Sequence, residues 1–445
     1  MSSGGVMYIL SSSPLFAEHL SRCNRCASCS TKGFRKKLLT GTAAASMLLA
    51  ASPVFAGGFY APYQSATANA TALAGATAGT GDPSGLFFNP AANASLQGHQ
   101  VYIDAKAFLP DLSLNATTAT GPGPTPVPNS ATDLAGDAFA PNVYASFSIT
   151  DKLKLGLAFS GPFAAEIDAD PTWSGRYQLT KTDIKTYAGT VSLAYQLTQT
   201  LAVGGGVTVE YFDGVFERVE FVGFDGIGYL EGDDVELGFN AGLIWTPHDG
   251  TTIGLAYRSQ MDHDFSGMAG IRGNALFDRT AGYDLTMPQI VSLGIRQELH
   301  DGWTLLGEIE WQDFSTFTGF DIALGPSTID PVNRQDVRPQ DWNDSWIFAI
   351  GAEYRPNEKS TWRFGVQYDT AVSDGGGNTL SPDADRIMVG FGYERMVNDH
   401  FKWSAFYAHV FYDDAQISVT NGQGTLIGSM ETDLDMFGVS GTFTW

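Results

Sequence analysis

The chain has 445 residues, 48 of them acidic and 25 Lys or Arg, and its formal charge of −23 excludes nucleic acid as a partner. Past residue 56 no apolar run is long enough for a membrane-spanning helix. Aromatics nevertheless make up 12% of the chain and glycines number 51, a profile that suits strands whose every second residue faces lipid.

Residues 1–56 read as an export leader with an unusually long start. Arg35, Lys36 and Lys37 precede an apolar run over 38–51, Pro53 breaks it, and Val54-Phe55-Ala56 supplies small residues before a cut. The run is too short to span a membrane, so the mature chain is expected to begin at Gly57. A mis-assigned start codon is expected to account for the stretch ahead of it. That stretch holds all three cysteines, Cys23, Cys26 and Cys29. Their spacing suits zinc or an iron–sulfur cluster, but the position ahead of an export signal and the lack of a fourth cysteine argue against a metal site. No metal and no cofactor are expected. The leader carries six Lys/Arg and one Glu, so residues 57–445 have a formal charge of −28, and they have no cysteine for a disulfide.

Residues 57–98 are rich in Gly, Ala and Ser. They are too small to pack a core of their own and too many for a linker, so they are expected to fold back as a plug inside a barrel wide enough to hold one. Within them Asn89-Pro90-Ala91 is a turn former, which would equally suit a simple turn into the first strand.

Residues 99–445 read as strand after strand with no helical period. Leu155 to Phe159 runs into Ser160-Gly161-Pro162-Phe163 in the third strand, where proline cannot donate to a ladder and glycine has no side chain to pack. Such a break must be covered by protein or water, form an opening in the wall, or mark a strand end at the rim. Further on, Leu305, Ile309 and Trp311 oppose Glu308 and Glu310. Trp346, Phe348 and Ile350 alternate with Ile347, Ala349 and Gly351, and Trp362, Phe364, Val366 and Tyr368 alternate with Arg363, Gly365, Gln367 and Asp369. Tight turns at 150–152, 198–200, 247–250, 300–302, 356–358 and 398–400 separate longer polar stretches at 111–137, 167–182, 222–233, 266–282, 318–342, 373–384 and 414–431. Six short turns and seven long loops predict an all-β fold, a transmembrane antiparallel barrel of fourteen strands. The last strand places Phe437, Val439, Phe443 and Trp445 on one face and ends on the aromatic, as many outer-membrane barrels do where the closing strand is read by the barrel assembly machinery.

Several short motifs follow one another in a fixed order: Gly57-Gly58-Phe59, Ala72-Leu73-Ala74-Gly75, Asn89-Pro90-Ala91, Trp173-Ser174-Gly175-Arg176-Tyr177, Tyr257-Arg258-Ser259, Trp311-Gln312-Asp313-Phe314 and Ser381-Pro382-Asp383-Ala384-Asp385-Arg386. In order and spacing the chain resembles the FadL/TodX family of outer-membrane transporters for long-chain fatty acids and other hydrophobic compounds. The resemblance implies a fourteen-stranded barrel in the outer membrane of a Gram-negative bacterium, with residues 57–98 as a hatch. It also implies a kinked third strand at Ser160, Gly161, Pro162 and Phe163, followed by Glu166, through which apolar cargo leaves sideways into the outer-membrane lipid. By the same resemblance, Arg218 and Arg338 fall where basic side chains approach the carboxylate of bound fatty acid, and Phe59 borders that pocket. The residues themselves leave open that Arg218 simply pairs with Glu217 or Glu220. The loop at 222–233 is shorter than its counterpart in the fatty-acid transporter, which suggests a reduced outer capture groove.

Uptake of alkanes or monoaromatic compounds, or a surface receptor or adhesin built on the long loops, are the alternatives. An enzyme is not expected. No Gly-x-Ser-x-Gly elbow occurs, and strand alternation sends His263 to the side opposite Asp262 and Asp264.

Overall fold

In the computed structural model, residues 58–123, 130–340, 342–373 and 383–445 are described. The expected leader with its cysteines and expected cut site, Gly57, and Ser381-Pro382 lie outside the described residues. Fourteen antiparallel strands close into one barrel. β1 is Gln100–Ala119, β2 Ala138–Ser148, and β3 Leu153–Ser160 followed by Ala164–Asp168. β4 is Lys181–Gln196, β5 Leu201–Phe221 and β6 Asp225–His248. β7 joins Thr251–Arg258 to Met261–Ile271, β8 joins Asn274–Met287 to Ile290–Glu298, and β9 joins Trp303–Gln312 to Gly319–Leu324. β10 joins Arg334–Pro339 to Ser345–Asn357, β11 is Ser360–Asp369 and β12 Arg386–Asn398. β13 joins Phe401–Tyr412 to Ala415–Asn421, and β14 is Gly424–Thr444.

β14 returns to β1 in register from Gln100↔Thr444 to Ala119↔Leu426. At the seam His99 and Trp445 exchange backbone hydrogen bonds of 2.9 and 3.0 Å. Closure at this seam leaves β1 and β14 no free edge in the hydrocarbon, where an unpaired backbone group has no water to turn to.

Side-chain alternation sets the two faces. On β10 Ile350 is 72% exposed and Ile347 1%. On β11 Trp362, Phe364, Val366 and Tyr368 face out while Arg363, Gln367 and Asp369 are buried inside. Phe437, Val439, Phe443 and Trp445 lie on the outer face of the closing strand, as the sequence predicts. Charged side chains on the inner face meet partners: Arg363 lies 3.0 Å from Glu353, and Arg386 2.7 Å from Asp369.

All six short turns fall between consecutive strands at one end of the barrel. At the other end the sequence reading needs correction. Three stretches expected to be loops, 222–233, 266–282 and 414–431, are mostly strand, and a fourth, 318–342, carries a strand hairpin. β5 and β6 are joined only by residues 222–224, and β7 and β8 only by 272–273. Gly319–Leu324 pairs with Arg334–Pro339, and Ala415–Asn421 with β14. β1 likewise continues to Ala119 through the start of the expected 111–137 loop. The physical reason is that these hairpins rise beyond the lipid-facing belt. There neither face has to be apolar, so the two-residue period that marks a membrane strand fades while the backbone ladder persists.

Residues 58–93 are buried along almost their whole length. Their contacts run to inward-facing groups all around the barrel. A helical turn at Ala66–Asn69 is capped by Ser65, and its Ala66 N–H donates to the buried Asp104 of β1 at 3.0 Å. Thr77 N–H donates to Glu308 of β9, and Arg258 of β7 donates to the Phe87 carbonyl while stacking on its ring. Wall glycines make room for this backbone. A Cβ at Gly254 would collide with the Thr77 carbonyl, one at Gly365 with the Thr71 carbonyl, and one at Gly390 with the Asn69 carbonyl.

Candidate functional site

Arg218 and Arg338 meet in one cavity. Arg218 projects inward from the top of β5, and Arg338 from the β9–β10 hairpin that rises beside it. With Arg279 and Arg334 they line a space of about 340 Å³, within the size range of ligand sites. Phe216, Leu230, Ile271, Phe277, Ile322 and Leu324 supply its apolar walls. Each guanidinium is paired with a carboxylate. Arg218 lies 3.1 Å from Glu220, Arg338 2.7 Å from Asp336, and Arg279 3.3 Å from Asp330, which also binds Arg334. Burial, and the Arg218 charge beside it, hold the Arg338 guanidinium below the ordinary arginine value. An anion entering the cavity would relieve that repulsion. Chemically the cavity suits an amphiphile: an apolar body against the walls and an anionic end at a fork of N–H donors.

Phe59 does not line this cavity. It packs deeper, against Trp342 at 5.2 Å and Phe317 at 6.3 Å between ring centroids. Gly58 has a left-handed φ of 59°, and a Cβ there would stand 2.9 Å from both the Trp342 and the Phe314 rings. A continuous aromatic array nevertheless joins the two places. Phe216 in the cavity wall meets Phe320 at 5.5 Å, Phe320 meets Phe317 at 5.3 Å, and Phe317 meets Trp342 at 4.6 Å. The Trp342 indole N–H, in the middle of this array, is buried and has no hydrogen-bond partner among the described residues.

From Phe59 the chain passes directly to the break in β3, where the next residue, Tyr60, lies 5.6 Å from Phe163 between ring centroids. Pairing of β2 with β3 stops at Val143↔Phe159, and residues 138–142 of β2 continue against β1 alone. On the other side β3 and β4 pair up to Ser160↔Ala188 and resume at Ala164↔Lys185. Three residues of β3 thus oppose two of β4. Thr186 fills the missing ladder position, accepting from the Phe163 N–H through its hydroxyl and donating back to the Phe163 carbonyl, both at 2.8 Å. Higher up, Leu134 bridges Leu112 of β1 and Asp168 of β3 by backbone bonds of 3.2 and 2.7 Å. The β2–β3 ladder is therefore missing between residues 138–142 and the Gly161-Pro162-Phe163 break, a window in the backbone pairing. Its floor is the Val143–Phe159 ladder and its lintel is Leu134.

Asn89-Pro90-Ala91 lies away from both places, at the floor of the internal segment. Asn89 caps the 3-10 turn Pro90–Ser95, accepting from the Ala91 N–H at 2.9 Å, and donates to the Thr77 and Leu243 carbonyls. Gly242 has no Cβ where Asn89 Oδ1 sits. The motif is an anchor between segment and wall. His263 points inward to Glu210 and Asp234 while Asp262 and Asp264 face out. Gln64, Arg279, Arg334 and Trp342 carried no sequence signal. They stand in the segment or in rising hairpins, where no alternation marks which side chains converge.

A closed barrel with an apolar outer wall is an integral membrane protein of the outer membrane. Residues 47–445 match the family described as outer membrane protein transport protein (OMPP1/FadL/TodX), and the chain belongs to that family. It is a transporter and not an enzyme. The long-chain fatty acid transport protein of Escherichia coli O6:H1 is 21% identical over 454 residues, covering 90% of this chain and 96% of that protein. Among solved structures, a Pseudomonas aeruginosa FadL homologue superposes with a TM-score of 0.76 at 22% identity, over 87% of this chain and all of the other. The Pseudomonas putida toluene transporter TodX superposes with a TM-score of 0.64 at 16% identity, over 85% and 98%. These likenesses establish the shared fold.

Proposed function

We propose that the chain takes up long-chain fatty acids or chemically similar amphiphiles, and that they leave the barrel sideways through the β3 window with residues 57–98 acting as the hatch. The observation that carries this reading is the aromatic array from the arginine-lined cavity through Phe320, Phe317 and Trp342 to Phe59, whose chain neighbour Tyr60 meets Phe163 at the window. Along it an acyl chain stays out of water throughout, gaining about 25 cal/mol for each Å² of apolar surface kept buried. The arginines select the charged end at the cavity, and the unpartnered Trp342 N–H offers that end a second partner on the way down.

One observation favours an uncharged cargo instead. Every arginine of the cavity is already paired with a carboxylate, so a hydrocarbon would disturb no ion pair there. The two cargoes separate in uptake by cells that lack their own transporter and express this chain. Labelled oleate should enter, and Arg218→Ala should slow it by about ten- to a hundredfold, the worth of one charge-assisted hydrogen bond, while toluene uptake stays unchanged. Toluene entry without oleate entry, from a correctly assembled barrel, would transfer the reading to hydrocarbons. Replacing Gly161 and Pro162 together with Val and Thr should mend the ladder and stop uptake; unchanged uptake would sink the sideways route.

A further inference from the structure

The window in the wall is not empty. Residues 59–61 lie along the free side of the break as a short surrogate strand: Ala61 N–H donates to the Pro162 carbonyl at 2.8 Å, and Ala164 N–H donates to the Phe59 carbonyl at 2.9 Å. Tyr60 and Phe163 form the antiparallel bridge between them. Added edge pairing of this kind is how an extended segment docks on a sheet. The surrogate strand reaches only the β3 side, however, and something must hold the β2 side.

Gln64 does so. Its Nε2 donates to the Gly161 carbonyl at 2.7 Å and to the Ala61 carbonyl at 2.9 Å, and its Oε1 accepts from the Gly161 N–H at 3.2 Å and from Asn142 Nδ2 at 3.0 Å. Its main-chain carbonyl accepts from Asn142 and from the Tyr144 hydroxyl. One residue thus grips both jambs of the window. A primary amide is suited to this, because it offers donors and an acceptor at once. Gly161 is the residue whose backbone groups the broken ladder leaves without a strand partner, and Gln64 satisfies them.

We infer that Gln64 is the bolt of the lateral window: a positioning residue that shuts the gap between β2 and β3 when no cargo is bound, and whose release is needed before the gap opens to lipid. The geometry stands by itself; its consequence for uptake rests on the sideways-exit reading. Phe59 couples bolt and cargo route, since it contacts Trp342 in the array and lends its carbonyl to Ala164 at the window. A chain displacing the Phe59 ring would pull on the surrogate strand, which Pro62 and Tyr63 join to Gln64.

The test uses the absence of cysteine from residues 57–445. Ala188 faces inward behind the window, beside Ser160 and Pro162, and is buried. In an Ala188→Cys background reconstituted in vesicles, a maleimide confined to the bilayer reaches the thiol only when the window opens. Gln64→Ala should raise the labelling rate by about tenfold, the effect of losing at least one net hydrogen bond. Asn142→Ala, which loosens only the β2 jamb, where Tyr144 still holds the Gln64 carbonyl, should raise it less. Retained heat-modifiable gel mobility reports that each barrel is assembled, and should Gln64→Ala fail that check, Asn142→Ala decides. Labelling within twofold of the Ala188→Cys parent in the assembled variants would overturn the bolt. Faster labelling, together with oleate uptake that survives the Gly161-Pro162 replacement, would keep the bolt and remove the sideways exit.

Discussion

Trp342 shows how much one buried atom can report. A donor sealed among Phe59, Phe314 and Phe317 without an acceptor costs about 1–3 kcal/mol relative to one that is bonded. Replacing the indole by a phenyl ring removes the donor and keeps most of the apolar contact. Trp342→Phe is therefore expected to leave thermal stability unchanged or slightly higher, and to slow oleate uptake by about three- to tenfold, with toluene uptake unaffected. Equal loss for both compounds would mean that the ring's bulk, and not its N–H, serves the passage. Arg218 could be found from sequence because its neighbours on β5 carry a strand pattern and the family motif order reaches it. Trp342 could not. It stands between two segments of β10, where no period says which way a side chain points, and its neighbours in the array come from β9 and from residues 58–59.

At the scale of the element, β3 and the β11–β12 loop make opposite uses of irregularity. In β3 the ladder is interrupted and a separate segment completes it. In the loop after β11 an ion triad does the holding: Arg386 is fully buried, 2.7 Å from Asp369 at the end of β11 and 2.9 Å from Asp383 in the loop. Truncating one member leaves the others charged and unpaired out of water, which costs about 3–5 kcal/mol. Arg386→Ala should therefore lower the unfolding temperature of the purified barrel, read by loss of heat-modifiable mobility, and Arg386→Met should recover little because Asp369 and Asp383 remain. A melting point equal to the parent's would show that the loop folds without the triad. The break in β3 was legible because proline and glycine forbid pairing by their own covalent structure. The hairpins above the belt were not, because Asp225–His248 and its partner carry polar residues on both faces there and only the backbone ladder betrays a strand. The same holds for Gln64, a polar residue in a segment that alternates with nothing.

The whole molecule is a wall and a filling with separate means of support. The wall closes on itself through β1 and β14 without any help from residues 58–98. A barrel of eight strands is filled by its own side chains and one of sixteen leaves a water channel, so fourteen strands leave a lumen that something must occupy. Here the occupant is seated on wall glycines such as Gly254, Gly365 and Gly390, and it covers Asp104 and Glu308 by hydrogen-bonding them. Removing residues 58–98 while keeping residues 1–57 should thus leave an assembled, heat-modifiable barrel, because every group it uncovers becomes solvated instead of stranded. Such a barrel should conduct steadily in a planar bilayer where the full chain is closed. Its current should favour cations, since Asp104, Glu308, Glu310 and Asp369 all point into the lumen. Failure to assemble would make the segment part of the folding core and not a filling. A silent but assembled barrel would place the seal in the rising hairpins, and the aromatic array, not the segment, would then be the barrier that cargo must part.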